Sequence, residues 1–89
     1  MVTSIILINV KRNKVYEVAE QLADIPGISE VYSVTGKYDL VAMVRVKTND
    51  ELAELVTSKL VKVDGVTKTD TMLAFKAYSK HDLDAMFSM

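Results

Sequence analysis

An α+β sandwich made of two strand–helix–strand halves is the fold this sequence predicts, and three observations predict it. First, the 89 residues carry a near-repeat. Ile25-Pro26-Gly27-Ile28-Ser29-Glu30-Val31 reads like Val63-Asp64-Gly65-Val66-Thr67-Lys68-Thr69, at an offset of 38 positions. Second, the apolar spacing switches between the strand period and the helix period in the order strand, helix, strand, twice over. Third, the polar loop Val34-Thr35-Gly36-Lys37-Tyr38-Asp39 separates two apolar segments at the middle of the chain. Two βαβ halves in one small domain make the ferredoxin-like βαββαβ plan, a four-stranded antiparallel sheet with two helices on one face.

Each element has its own justification. Residues 5–10 are rich in β-branched side chains and form the first strand. Val15, Val18, Ala19 and Leu22 recur on one helix face, with Asn13 placed to cap its start and Pro26-Gly27 to stop it. Residues 28–34 and 40–46 are the second and third strands, and the glycine between them predicts a tight hairpin loop. Thr48-Asn49-Asp50-Glu51 has capping-box spacing, with Thr48 at the N-cap and Glu51 three residues on. Leu52, Leu55, Val56 and Leu60 form the apolar face of the helix that follows. Asp50 and Glu51 stand at its positive end and Lys59 and Lys62 near its negative end, as the helix dipole prefers. Asp64-Gly65 turns the chain into a long last strand, residues 66–78. The domain is thus residues 1–78. Residues 79–89 are a short tail with Leu83, Met86 and Phe87 at helical spacing.

Composition excludes several function classes. The formal net charge is −1, so the overall field offers no pull on nucleic acid. Lys11, Arg12 and Lys14 read as a solvated helix entrance. The absence of cysteine removes disulfides, thiolate metal sites and thiol catalysis, and it suits a cytoplasmic protein. No apolar run approaches the roughly 18–20 residues of a membrane span. Residues 4–10 are apolar but short and lack the flanks of a signal peptide. The single histidine, His81, lies in the tail and reads as solvated, and no carboxylate pair falls on an apolar face. No catalytic residue, metal site or cofactor is therefore predicted.

The plan also predicts partners. Ile5-Ile6-Leu7-Ile8 and Leu40-Val41-Ala42-Met43-Val44 are apolar on both faces, whereas a strand with one wet face alternates. A second copy packed sheet to sheet would cover the outer face. The strand order 4-1-3-2 places Thr67, Thr69 and Thr71 at the same end of the sheet as residues 36–39. Strands two and four are opposite edges, about 14 Å apart, so a site using both groups forms more naturally between subunits.

These motifs, Val34-Thr35-Gly36-Lys37-Tyr38-Asp39 and Gly65-Val66-Thr67-Lys68-Thr69-Asp70-Thr71, resemble those of the RAM domain, the effector-binding half of the Lrp/AsnC (feast/famine) transcription regulators. The resemblance spans roughly residues 2–78. It implies dimers built sheet to sheet, assembly of those dimers into rings, and amino-acid effectors bound between neighbouring dimers. It assigns Thr35, Gly36, Tyr38 and Asp39 to the hairpin part of the ligand site, and Thr69 and Thr71 to its last-strand hydroxyls. In that role Asp39 would pair with an α-ammonium and backbone N–H groups near Gly36 would take the carboxylate. The chain starts at strand one, with no room for the family's N-terminal helix-turn-helix. It is therefore similar to stand-alone RAM proteins, with no direct nucleic-acid binding and with full-length family members as co-assembly partners.

Three alternatives remain at this point. One is an assembly scaffold without ligand binding. A second is an ACT-type sensor, whose ligand loop would be Asn9-Val10-Lys11-Arg12-Asn13 and which lacks the usual glycine there. The third is a small ferredoxin-like enzyme, which would need an acid–base pair or metal ligands in a cleft.

Overall fold

The computed structural model describes residues 1–80 and has the expected element order. Strand β1 (Val2–Val10) leads to helix α1 (Val15–Ala23), then β2 (Ile28–Ser33) and β3 (Leu40–Val46), then helix α2 (Asn49–Glu54) and β4 (Val66–Leu73). Neighbouring strands are antiparallel in the spatial order β2-β3-β1-β4, the order of the ferredoxin-like sandwich.

Register follows from the strand period of two. Ser4, Ile6, Ile8 and Val10 of β1 and Leu40, Ala42, Val44 and Val46 of β3 are buried on one face. They pack in a single cluster with Val18 and Leu22 of α1 and with Leu55 and Leu60 just beyond α2. Ser4 is the polar member of that row, and its hydroxyl donates to the Met72 carbonyl at 2.7 Å, so its burial leaves no unpaired group.

The repeat has a structural meaning. Gly27 and Gly65 both take positive φ, 103° and 105°, at the turn before β2 and β4. A Cβ on Gly27 would stand 2.9 Å from the side chains of Leu55 and Val46, and one on Gly65 would stand 2.9 Å from that of Val18. Each glycine is thus packed under side chains from the other half, so the positions require both the left-handed conformation and the missing side chain.

The structure departs from the sequence expectations in five places. A 3-10 turn, Arg12–Lys14, precedes α1, and no side chain caps either it or the helix. Asn13 lies inside that turn, beyond the capping position, so it is not the cap. The second helix begins as α, widens into a π turn at Leu55–Lys59 and closes with a 3-10 turn at Leu60–Lys62. Strand β1 starts at Val2 because Val46 and Arg45 extend far enough to pair with Val2 and Thr3. The hairpin is not tight. Its six residues, 34–39, are closed at the base by Val34 N–H donating to the Asp39 carbonyl at 3.0 Å. Finally, β4 stops at Leu73 instead of 78. Ala74 N–H still donates to the Thr3 carbonyl at 3.0 Å, but β1 then runs out of residues to pair with. The tail features at Leu83, Met86, Phe87 and His81 lie outside the described residues.

The sheet face away from the helices is apolar, as expected. Ile5, Leu7, Val41 and Met43 are half-buried there with no helix of the described residues over them, and Tyr32 and Met72 flank them in exposed positions. No helix among the described residues is long and apolar enough to cross a membrane.

Candidate functional site at the hairpin end of the sheet

Asp39 holds the base of the hairpin to β1. Its N–H donates to the Ile8 carbonyl at 3.0 Å, and its Oδ2 accepts from the Val10 N–H at 2.9 Å. The carboxylate therefore satisfies a backbone donor at the end of β1, where the β1–β4 pairing shifts register between Asn9 and Val10. A bulge frees such a donor from the ladder. Asp39 is not merely closing its own turn; it ties together a loop and a strand 29 positions apart.

Tyr38 extends the same tie to β4. Its hydroxyl donates to Asp70 Oδ2 at 3.2 Å, and the Lys68 ammonium stands 5.9 Å from its ring centroid. Partial burial, then the hydrogen bond to Asp70 and that residue's negative charge, raise the Tyr38 phenol above its ordinary pKa. The contact is possible because the second arm of the hairpin enters β3, which is two strand spacings from β4 across β1, about 10 Å. The wider separation expected between hairpin and last strand applies only to the arm that leaves β2.

The remaining site residues do not converge within one chain. Thr35 and Gly36 are exposed at the hairpin tip, and a Cβ on Gly36 would meet nothing within 4 Å. Gly36 is there for its φ of 105°, not for close packing. Thr69 and Thr71 pair with Ile8 and Ile6, so they face the helix side of the sheet. Lys68 and Asp70, which meet Tyr38, face the opposite side with Asn9 and Leu7. Thr67 donates its hydroxyl to the Asn9 carbonyl at 3.1 Å and acts as a clip at the bulge.

Sequence reasoning missed Lys68, Asp70 and Val10. The alternation Thr67-Lys68-Thr69-Asp70-Thr71 already separates Lys68 and Asp70 from the threonines by face. Only the β1–β4 register shows which face the hairpin meets. The ion pair Lys14–Glu17 at 3.2 Å lies at the start of α1, apart from these contacts.

Comparison with known proteins identifies the chain. The profile described as the Lrp/AsnC ligand binding domain matches residues 3–83. This protein belongs to the Lrp/AsnC family. The HTH-type transcriptional regulator FL11 of Pyrococcus furiosus is 38% identical over 79 residues, which is 89% of this chain and 52% of that regulator. This Lrp/AsnC chain spans about half the length of the curated relatives it matches. Among solved structures, TTHA0845 from Thermus thermophilus is 46% identical with a TM-score of 0.85, covering 90% of this chain and 100% of that one. The transcriptional regulator NMB0573 from Neisseria meningitidis, solved as an L-Met complex, shares the fold with a TM-score of 0.79 at 15% identity, covering 88% of this chain and 52% of that one.

Proposed function

We propose that this Lrp/AsnC chain is an amino-acid-responsive assembly module in transcription regulation, working in the cytoplasm through oligomerisation rather than by touching DNA itself. The observation that carries this reading is the hairpin. Asp39 and Tyr38 lock its base to β1 and β4, and the tip residues Thr35, Gly36 and Lys37 are left exposed. A loop pinned at the base and open at the tip suits a ligand that a neighbouring copy helps to close. Backbone N–H groups around Gly36 suit a carboxylate, and the outer oxygen of Asp39 suits an ammonium. Thr69 and Thr71 contribute from another subunit, since they face away from Tyr38 within one chain. The apolar outer face pairs with a second copy to give the dimer, dimers assemble into a ring, and full-length family members can join through the same face. An L-Met complex of a regulator with this fold makes methionine the first amino acid to try.

A second reading, a scaffold that binds no ligand, is favoured by one observation. Oδ2 of Asp39 is already engaged by the Val10 N–H. The two readings part on an experiment that uses Asp39→Asn, not Asp39→Ala. Alanine removes both the charge and the acceptor for Val10, and it costs about 1–2 kcal/mol of folding stability whatever the ligand does. Asparagine keeps an acceptor oxygen and removes only the charge. Thermal unfolding is measured with each of the twenty amino acids at millimolar concentration, with light scattering on the same samples. An effector module shows a selective rise in Tm, because a ligand at 100 times its Kd adds about 2.7 kcal/mol, and Asp39→Asn abolishes the rise. No shift with any amino acid leaves the scaffold.

A further inference from the structure

The end of the sheet opposite the hairpin carries a second feature. An open cleft of about 560 Å³ lies between the turn before β2, the end of β3 and α2. Its apolar lining comes from Pro26, Gly27, Val46 and Leu55. The side chains of Asp50 and Glu54 of α2 have no hydrogen bond or ion pair among the described residues, and Lys47 and Lys59 line the same cleft, so its charge is mixed. Arg45 also lines the cleft, and its guanidinium donates to the Ser29 hydroxyl at 3.5 Å.

The segment that follows β4, a strap leaving the sheet, offers rings for the apolar lining and cations for the two unpaired carboxylates. Residues 74–80, Ala-Phe-Lys-Ala-Tyr-Ser-Lys, hold two aromatic rings and two cations with no acid. Phe75 is 101% exposed and Tyr78 is 75% exposed, so neither ring is seated on the described residues of its own chain. An aromatic ring of this kind covers about 150–250 Å² when buried, which makes such exposure costly.

Register connects the two features. Ala74 bonds to Thr3, Thr3 pairs with Arg45, and Arg45 N–H donates to the Gly27 carbonyl at 2.8 Å. The exit of the strap and the mouth of the cleft therefore stand in one row across the sheet, at opposite edges. A second copy packed face to face, with its two-fold axis parallel to the strands, lays each β4 edge over the other copy's β2 edge and keeps the ends together. The strap of one copy then leaves the sheet beside the cleft of the other.

We propose that residues 74–80 form an arm that docks in the cleft of a second copy, Phe75 against the Val46–Leu55 floor and Lys76 beside the unpaired carboxylates of Asp50 and Glu54. For the direction of approach this rests on the sheet-to-sheet pairing proposed above. The exchange is reciprocal, so each dimer holds two such arms, and the dimer interface extends from the sheet face to α2.

The chain has no cysteine, which makes a disulfide test direct. Full-length Lys76→Cys and Glu54→Cys proteins, which keep both aromatic rings, are mixed and oxidised, and a Lys76→Cys with Glu20→Cys mixture serves as control. A disulfide needs Cα atoms within about 7 Å, so only a seated arm links the first mixture. Sedimentation of the wild type and of Phe75→Ala/Tyr78→Ala accompanies it. The expected result is a cross-linked heterodimer in the first mixture alone, and dimer affinity weakened about tenfold or more by the double substitution. A wild-type dimer with no cross-link between the Lys76→Cys and Glu54→Cys proteins overturns the arm while leaving the sheet pairing intact. A monomeric wild type overturns both.

Discussion

Asp39 and Tyr38 illustrate how one residue changes meaning once its partners are known. Both sit in the polar loop between two apolar segments, and both read as ligand groups. In the fold they first serve the protein, one by accepting from Val10 and the other by reaching Asp70. The Tyr38 contact makes a prediction with a defined sign. A tyrosine is neutral when protonated, and the folded-state pKa of Tyr38 is raised. The stabilisation it provides is thus complete below the unfolded pKa of about 10 and is lost as pH rises through the higher folded value. Asp70→Asn should bring the Tyr38 ionisation back down toward that of an unfolded tyrosine, followed by NMR of the ring. An unmoved titration would detach Tyr38 from Asp70. Tyr32, whose phenol is raised chiefly by its hydrogen bond to Glu30, serves as the internal reference, because Asp70→Asn leaves it untouched.

Among the elements, the second helix follows its sequence signals most closely at its start and least at its end. The Glu51 N–H donates to the Thr48 hydroxyl at 3.1 Å, as the capping-box spacing requires. The Glu51 carboxylate in return accepts from the Lys47 N–H at 3.0 Å, one residue before the cap. Beyond Glu54 the backbone widens, and the Thr57 hydroxyl back-bonds to the Ala53 carbonyl at 2.7 Å, a contact that bends helices. Only a short stretch of regular α-helix depends on the cap. Thr48→Ala should therefore cost about 1 kcal/mol in urea unfolding, and Thr48→Ser should restore most of it. The hairpin shows the reverse case. Its glycine was legible, but its width was not, because Asp39 bonds to β1 rather than only across the loop.

For the whole molecule, the decisive feature is a sheet that is apolar on both faces with helices on one. Ile6, Ile8, Ala42 and Val44 are covered by the helices, while Ile5, Leu7, Val41 and Met43 have no such cover among the described residues. Leu7 lies mid-strand on the uncovered face, opposite Val41 on one side and Asp70 on the other. Leu7→Lys should convert dimers to monomers in sedimentation and leave the far-ultraviolet circular dichroism unchanged, since the helix-side core is not touched. Dimers that persist unaltered would show that another surface holds the copies together.

The elements themselves were legible in the chain because each rests on local or periodic information. The strand and helix periods placed β1, α1, β3 and the start of α2. The matched glycines at 27 and 65 marked the two halves, and the family motifs in 34–39 and 65–71 pointed to one end of the sheet. Tertiary structure alone decided which side chains meet there. A shift of one residue in the β1–β4 pairing would exchange Asp70 for Thr69 or Thr71 beneath Tyr38. It also decided where β4 ends, because that depends on where β1 begins, and it formed the cleft by bringing the Pro26-Gly27 turn against the β3–α2 segment. Periodicity determines which face a residue takes within its own strand. Register between strands, set by the packing of the whole core, determines what that face touches.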